Sequence, residues 1–276
     1  TKQLLSKIEG CYSSMSKGHK RITDYITENY DKAAFMTAAK LGDAVGVSES
    51  TVVRFASELG FSGYPQLQKT LQEVVKSRLT SVQRMEAAGG EDMLEHAFSS
   101  DIDTIKATRE SISREAFNAS VEAINRAKHI YVLGVRSAAS LASFAAFYLN
   151  FVYDSVTLIE PAGTGEAFDQ AFRINKDDVC IAISFPRYSK QTINMLRFIS
   201  DRGATVISVT DSENSPIAQF ATHLLLARSS MVSFVDSLVA PLSLINALIA
   251  AAASEKSGEV YSNLSSLENI WDEYQI

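Results

Sequence analysis

The chain is poor in cysteine. Its 276 residues contain only Cys11 and Cys180, far apart and outside any CxxC or Cys/His cluster of metal-ligand spacing. A disulfide framework and a zinc module are thereby excluded, and reduced thiols in a cytoplasmic protein are expected. No basic n-region followed by an apolar h-region opens the sequence, so nothing signals secretion. No Walker A loop, zinc motif or Gly-x-Ser-x-Gly elbow occurs, so the nucleotide, metal and serine-nucleophile chemistries those motifs support have no footing. No cofactor or metal is expected. Internal repeats and low-complexity tracts are missing too. The longest apolar stretch, Met231 to Ala253, is interrupted by Asp236, Pro241, Asn246 and several serines. It reads as a buried or dimer-forming helix rather than a membrane span.

Positive charge is also in short supply: 26 Lys+Arg face 32 Asp+Glu, a net of -6. A phosphate backbone attracts cationic faces, so this total argues against a nucleic-acid partner. The distribution reverses the argument, because residues 1–80 hold 11 basic against 8 acidic side chains and the excess of acid lies in the remainder. Hydrophobic residues at 46% leave ample material for real cores, and the length fits two domains.

Within residues 1–80 apolar side chains recur at helical spacing, in Ile22, Tyr25 and Ile26 and again in Val52, Phe55, Ala56 and Leu59. Residues 41–65 read as a helix, a tight turn and a second helix. Gly42 allows close helix crossing, Gly46 tolerates a left-handed helix end, and Leu41, Val45, Val47, Val52 and Phe55 fill a small shared core. Ser48 is the expected N-cap. Ser50, Thr51, Arg54 and Ser57 are then left on the outer face, where short hydroxyls and an arginine suit base edges and phosphates. Gly60 to Pro65 ends this helix and starts another, from which Tyr64 and Lys69 are candidate phosphate contacts; Phe61 is read as a core plug. The candidate DNA-binding set is Ser48, Ser50, Thr51, Arg54, Tyr64 and Lys69.

Ser77 to Asp92, with its Gly89-Gly90 pair, reads as a domain exit, and helical patterning resumes from about Leu94 to Arg126. Five strand-like runs follow: His129 to Leu133, Ser155 to Ile159, Val179 to Ser184, Thr205 to Val209 and His223 to Leu226. Separated by helical segments, they predict a five-stranded parallel sheet covered on both faces. Leu264, Leu267, Ile270, Trp271 and Tyr274 predict a C-terminal amphipathic helix. The expected organisation is therefore a DNA-binding domain over 1–80, a linker over 81–98, an α/β sensing and dimerisation domain over 99–256, and a terminal helix over 257–276.

Two junctions at strand carboxyl ends suit an anion, because a helix N-terminus follows each. The first is Gly134-Val135-Arg136-Ser137-Ala138. The second is Ser184-Phe185-Pro186-Arg187-Tyr188-Ser189-Lys190. Hydroxyls and free helix N–H groups cradle a phosphate without a metal.

Val47 to Pro65 resembles the N-terminal domain of the RpiR family of bacterial transcriptional regulators, and the rest of the chain is similar to that family's second part, a sugar isomerase (SIS) domain with a flavodoxin-like sandwich. The resemblance implies a homo-oligomer, dimer or tetramer, that binds palindromic double-stranded operators and senses a phosphosugar to control sugar metabolism. The sequence departs from the family in both loops. Arg136 stands for the second glycine of Gly-x-Gly-x-Ser and Ala138 for its serine, while Pro186 and Arg187 replace the central Ser-Gly of Ser-x-Ser-Gly-x-Thr. The two arginines gained are suited to bidentate recognition of phosphate or carboxylate. The candidate effector set is Gly134, Arg136, Ser137, Ser184, Arg187 and Ser189, with pairing of the arginines to acids such as Glu160 or Glu166 as the alternative. Two other readings stand beside it. One is a phosphosugar isomerase with Glu166 as general base, while His129 and His223, on or beside strands, read as core histidines. The other is an effector-independent DNA-binding dimer.

Overall fold

The computed structural model describes residues 12–76, 82, 84–85, 92–160, 164–231 and 233–275. It divides into two compact units, residues 1–89 and 90–276. Cys11 lies outside the described residues.

The first unit is helical: α1 Lys17–Glu28, α2 Tyr30–Ala33, α3 Ala38–Val45, α4 Glu49–Glu58 and α5 Tyr64–Lys76. Side-chain oxygens of Ser16, Thr37 and Ser48 cap α1, α3 and α4 by accepting from backbone N–H groups three residues on. The helices share one core of Ile22, Ile26, Leu41, Val52, Phe55, Leu59, Leu67 and Leu71, all essentially without solvent exposure. Each such side chain contributes about 1.5–3 kcal/mol of burial. Val45 and Val47 are only half-buried, so the shared core is narrower than the apolar pattern implied. Gly46 closes α3 at φ 69°, ψ 44°. A Cβ on Gly42 would stand 2.7 Å from the Val47 carbonyl oxygen, which is why glycine sits where the two helices approach.

The second unit opens with α6 Met93–Ser111 and α7 Arg114–Arg126. Asp92 caps α6 through Leu94 N and Glu95 N, so the helix begins inside the segment expected to be linker. Five strands follow, β1 Ile130–Gly134, β2 Val156–Ile159, β3 Val179–Ile183, β4 Thr205–Thr210 and β5 His223–Leu226. They alternate with α8 Ala138–Leu149, α9 Thr164–Ala171 and α10 Lys190–Asp201, and α11 Val239–Glu255 and α12 Ser257–Tyr274 close the chain. All strand pairs are parallel, in the order β2-β1-β3-β4-β5. The alternation within strands divides the core in two. Ile130, Val132, Ile181, Ile183, Ile207 and Val209 pack under α7, α8 and α11. Tyr131, Leu133, Cys180, Ala182 and Val206 pack under α9 and α10. Cys180 is wholly enclosed, and burial pushes its thiol up to about 12.

The expected apolar run from Met231 is not one helix. Met231 and Asp236 make an isolated antiparallel bridge, residues 233–238 are not helical, and α11 starts only at Val239. Pro241 falls in its first turn, where a missing N–H costs nothing. Among the described residues no helix is long and apolar enough to cross a membrane.

Candidate functional site

In the first unit, Ser48, Ser50 and Arg54 stand on the exposed face of the α3–α4 pair, with Thr51 half-exposed beside them. The Ser48 hydroxyl lies 2.9 Å from that of Ser50 and 2.8 Å from that of Thr51, forming a compact hydroxyl cluster at the start of α4. Arg54 lies one turn on, its Nε donating to Ser50 O at 3.4 Å, which leaves the guanidinium tip available at the surface. Capping and packing together orient this face: Val52, Phe55 and Ala56 are buried beneath it. Behind it the buried His19 ring sets Nδ1 2.9 Å from Glu58 Oε2 and meets Phe55 edge-on, tying α1 to α4.

Two residues of the expected DNA-binding set part company. Lys69 is exposed on α5. Tyr64 is not a phosphate contact: it is 3% exposed, and its hydroxyl donates to Met36 O at 2.7 Å. Burial raises its pKa to about 12. The pattern following Gly63 placed an aromatic at a helix start, but the core claimed its ring and the Met36 carbonyl its hydroxyl.

In the second unit, the strand order reverses direction between β1 and β3, which places the two carboxyl-end loops side by side, where open α/β sheets form their ligand crevice. Arg136, Ser137, Ser184, Arg187 and Ser189 line one cleft there together with Val135, Phe185 and Pro186. Gly134 does not line it. It sits beneath, where a Cβ would meet Ala138 O at 2.5 Å and Ala142 Cβ at 2.8 Å, so its role is the packing of α8 on β1. Ser137 makes no side-chain cap to α8, whereas Ser189 caps α10 through Gln191 N. In the first turn of α8 the Ala139 N–H donates instead to Arg136 O at 3.1 Å.

Both arginines adopt left-handed backbone, Arg136 at φ 61° and Arg187 at φ 69°. That conformation costs a side-chain-bearing residue about 1–3 kcal/mol and is characteristic of ligand sites. Arg136 is exposed. Arg187 does pair with an acid, but neither Glu160 nor Glu166: its Nη2 lies 3.1 Å from Oδ2 of Asp236. The room left within the cleft is about 20 Å³, enough for roughly one water.

Four further polar side chains at this edge lie outside the candidate set. Tyr188 donates to Asp211 Oδ1 at 2.6 Å, and Thr210 Oγ1 donates to the same oxygen at 3.3 Å. Burial raises the Asp211 carboxyl above its ordinary range despite these bonds, and burial likewise raises the Tyr188 hydroxyl. Asp236 is the fourth. Its sequence signal was a lone acid in an apolar run. Glu166 lies exposed on α9 and does not line the cleft. His129, at the opposite, amino end of β1, bonds Thr157 Oγ1 at 2.8 Å and stacks on Tyr131. Among the described residues no group of three or more His, Cys, Asp or Glu is placed to hold a metal.

Comparison with known proteins matches each unit. Residues 2–78 match the helix-turn-helix domain of the rpiR family, and residues 123–251 match the SIS domain. The transcriptional regulator HexR of Pseudomonas aeruginosa is 25% identical over 228 residues, covering 80% of this chain and 77% of its own. The sugar isomerase domain of an RpiR transcription factor from Sphaerobacter thermophilus superposes with a TM-score of 0.59 at 29% identity, over 62% of this chain and 96% of that one. The NanR protein of Vibrio vulnificus, solved in complex with ManNAc-6P, gives a TM-score of 0.61 at 23% identity over 98% of both chains.

Proposed function

For a chain that belongs to the RpiR family of transcriptional regulators, with a helix-turn-helix unit followed by a SIS domain, we propose an effector-controlled DNA-binding protein of the cytoplasm whose β1/β3 cleft binds a phosphosugar or a related anionic sugar derivative. The observation that carries this reading is the cleft itself: two left-handed arginines and three serines converge at the switch point of the sheet, beside the start of α8. A guanidinium binds phosphate or carboxylate through two parallel N–H donors, so an acid group on the sugar fits as well as a phosphate. The likeness to NanR, which was solved with a phosphorylated amino sugar, supports the same ligand class.

The first unit reads DNA through Ser48, Ser50, Thr51 and Arg54, with Lys69 as a phosphate contact. One such helix covers too little DNA for tight specific binding, so two copies reading half-sites of a palindrome about one helical turn apart are expected. Domain bounds of 1–80 and 92–256, the second opened by the Asp92 cap of α6 and supplying the homodimer or homotetramer, complete the proposal. Effector and operator binding are then linked reciprocally. Regulation without turnover is favoured over isomerase activity, because neither Glu166 nor any histidine among the described residues lines the cleft to serve as general base.

Calorimetry with a panel of phosphosugars and sugar acids tests the cleft. Arg136→Ala and Arg187→Ala are each expected to weaken binding of the effector so identified; unchanged affinity in both removes the cleft from the reading. Gel shifts across effector concentrations separate it from an effector-independent dimer, whose DNA binding would not respond. Turnover of any panel member would replace it with the enzyme reading.

A further inference from the structure

The cleft meets a carboxylate that belongs to neither of its two loops. Asp236 lies between β5 and α11 with a side chain only 9% exposed, on the guanidinium of Arg187. Its segment is tied back on itself, with Ser237 N donating to Ser230 O at 2.8 Å and Ser229 Oγ donating to Ser237 O at 3.1 Å. Both ends of the segment are fastened to α6. At one end Arg228 N donates to Thr108 Oγ1 at 2.8 Å. At the other, the Ser237 hydroxyl donates to the Asp101 carboxylate and accepts from Val239 N, where α11 begins. Arg228, Asp236 and Ser237 therefore link the arginine of the cleft to two points on one helix. Within them the buried Ser230 hydroxyl finds no hydrogen-bond partner, so the segment is incompletely satisfied where it rests.

An arginine edge that holds one oxyanion does not hold a second in the same place. The cleft beside Arg187 has room for about one water, so an incoming anion that uses the Nη2 side of this guanidinium displaces the Asp236 carboxylate from it. Resting on the reading of this cleft as an anion site, we propose that Asp236 is a tethered competitor for the anionic group of the effector. It occupies Arg187 until that group arrives, sets the affinity for it, and on displacement loosens Arg228 and Ser237 from α6. A phosphate dianion carries more charge than the carboxylate it replaces, and the replaced carboxylate regains water as the loop moves. A purely structural Asp236, one that only holds Arg187 in place, has the opposite sign: removing it would weaken anion binding.

The test is calorimetry of inorganic phosphate on the full chain, comparing the wild type with Asp236→Asn and Arg187→Ala. Asp236→Asn is expected to bind phosphate about threefold more tightly or better, the scale of a partly exposed ion pair. Unchanged or weaker binding overturns the proposal. Arg187→Ala separates the two layers: if it loses phosphate while Asp236→Asn binds as wild type, the cleft reading stands and the competitor falls. If neither wild type nor Asp236→Asn binds phosphate, or Arg187→Ala binds it undiminished, both fall. Amide exchange on the wild type needs no variant. Phosphate should accelerate exchange at the Arg228 amide, which donates to Thr108 on α6, and at the Ser237 amide, which donates to Ser230, and unchanged or slower exchange at both also overturns the proposal.

Discussion

Left-handed backbone occurs in both units, but different residues occupy it. In the helical unit the positions are Gly46 at φ 69° and Gly60 at φ 80°, each just past the end of a helix where glycine meets no steric penalty. In the α/β unit Gly203 follows the same rule after α10, and Gln275 ends α12 at φ 53°. Arg136 and Arg187 break the rule at the mouth of the sheet. A fold-bearing turn uses the residue that fits most cheaply. A binding loop keeps a costly residue because the side chain is needed, and the surrounding structure must impose the conformation. Among the described residues the helical unit thus keeps left-handed backbone to glycine, whereas the α/β unit, besides Gln275 at a helix end, places two arginines there in one cleft.

The largest test of this contrast concerns a glycine that serves packing alone. Gly134→Ala would put a methyl 2.5 Å from Ala138 O and 2.8 Å from Ala142 Cβ, and is expected to destabilise the α/β unit by about 2–3 kcal/mol in denaturant unfolding. A loss within ~0.5 kcal/mol, the range of ordinary surface changes, would show that α8 shifts freely and that the cleft floor is soft. Next in size, Arg54→Ala should weaken operator binding by on the order of 1–3 kcal/mol in gel shifts while leaving effector affinity without DNA unchanged. Normal operator binding by this variant would remove Arg54 from the reading face.

Arg136→Gly sharpens the comparison because its two effects oppose each other. Relief of the left-handed strain should stabilise the unit by about 1 kcal/mol or less, while effector affinity falls. Loss of stability together with affinity would mean that Arg136 is there for the fold. The smallest effect is expected at Tyr64→Phe, about 1 kcal/mol of stability, because Met36 O keeps a donor in Gln68 Nε2 at 2.9 Å. Its operator binding should match wild type, and a measurable drop would restore Tyr64 as a DNA contact. The same residue has a pH signature. Its folded pKa of about 12 exceeds the ordinary 10.0, so its contribution is complete below pH 10 and disappears as pH rises towards 12. An alkaline unfolding titration should show a shallower slope in Tyr64→Phe than in the wild type, the remainder coming from groups such as Cys180 and Tyr188 that burial also raises.

The sequence carried most of the architecture because each element announced itself locally. Caps, glycines and helical periodicity outlined α3 and α4, and the five β-branched runs located the strands within one or two residues. The cleft was legible in part, since Arg136, Ser137, Ser184, Arg187 and Ser189 converge as the two loops promised. The remainder depended on distance along the chain. Asp236 reaches Arg187 across 49 residues, and Asp211 reaches Tyr188 across 23. No periodicity marks such partners; only the parallel sheet brings the ends of β3, β4 and β5 together. Tyr64 misled for a related reason, because its fate was decided by a carbonyl 28 residues away. The linker ran long because Asp92 capped a helix whose exposed Leu94, Phe98 and Ile102 look like surface apolar residues rather than a core stripe.

Cys180 gives the sheet an internal clock. Its thiol projects from the middle of β3 into the layer beneath α9 and α10, fully enclosed, and holds its proton up to about 12. Alkylating reagents attack the thiolate, so at neutral pH they reach this sulfur only during moments when that layer opens. Its rate of labelling, followed on the peptide that contains it, reports openings between the sheet and these two helices, and any ligand that holds α10 down through the loop before it slows that rate.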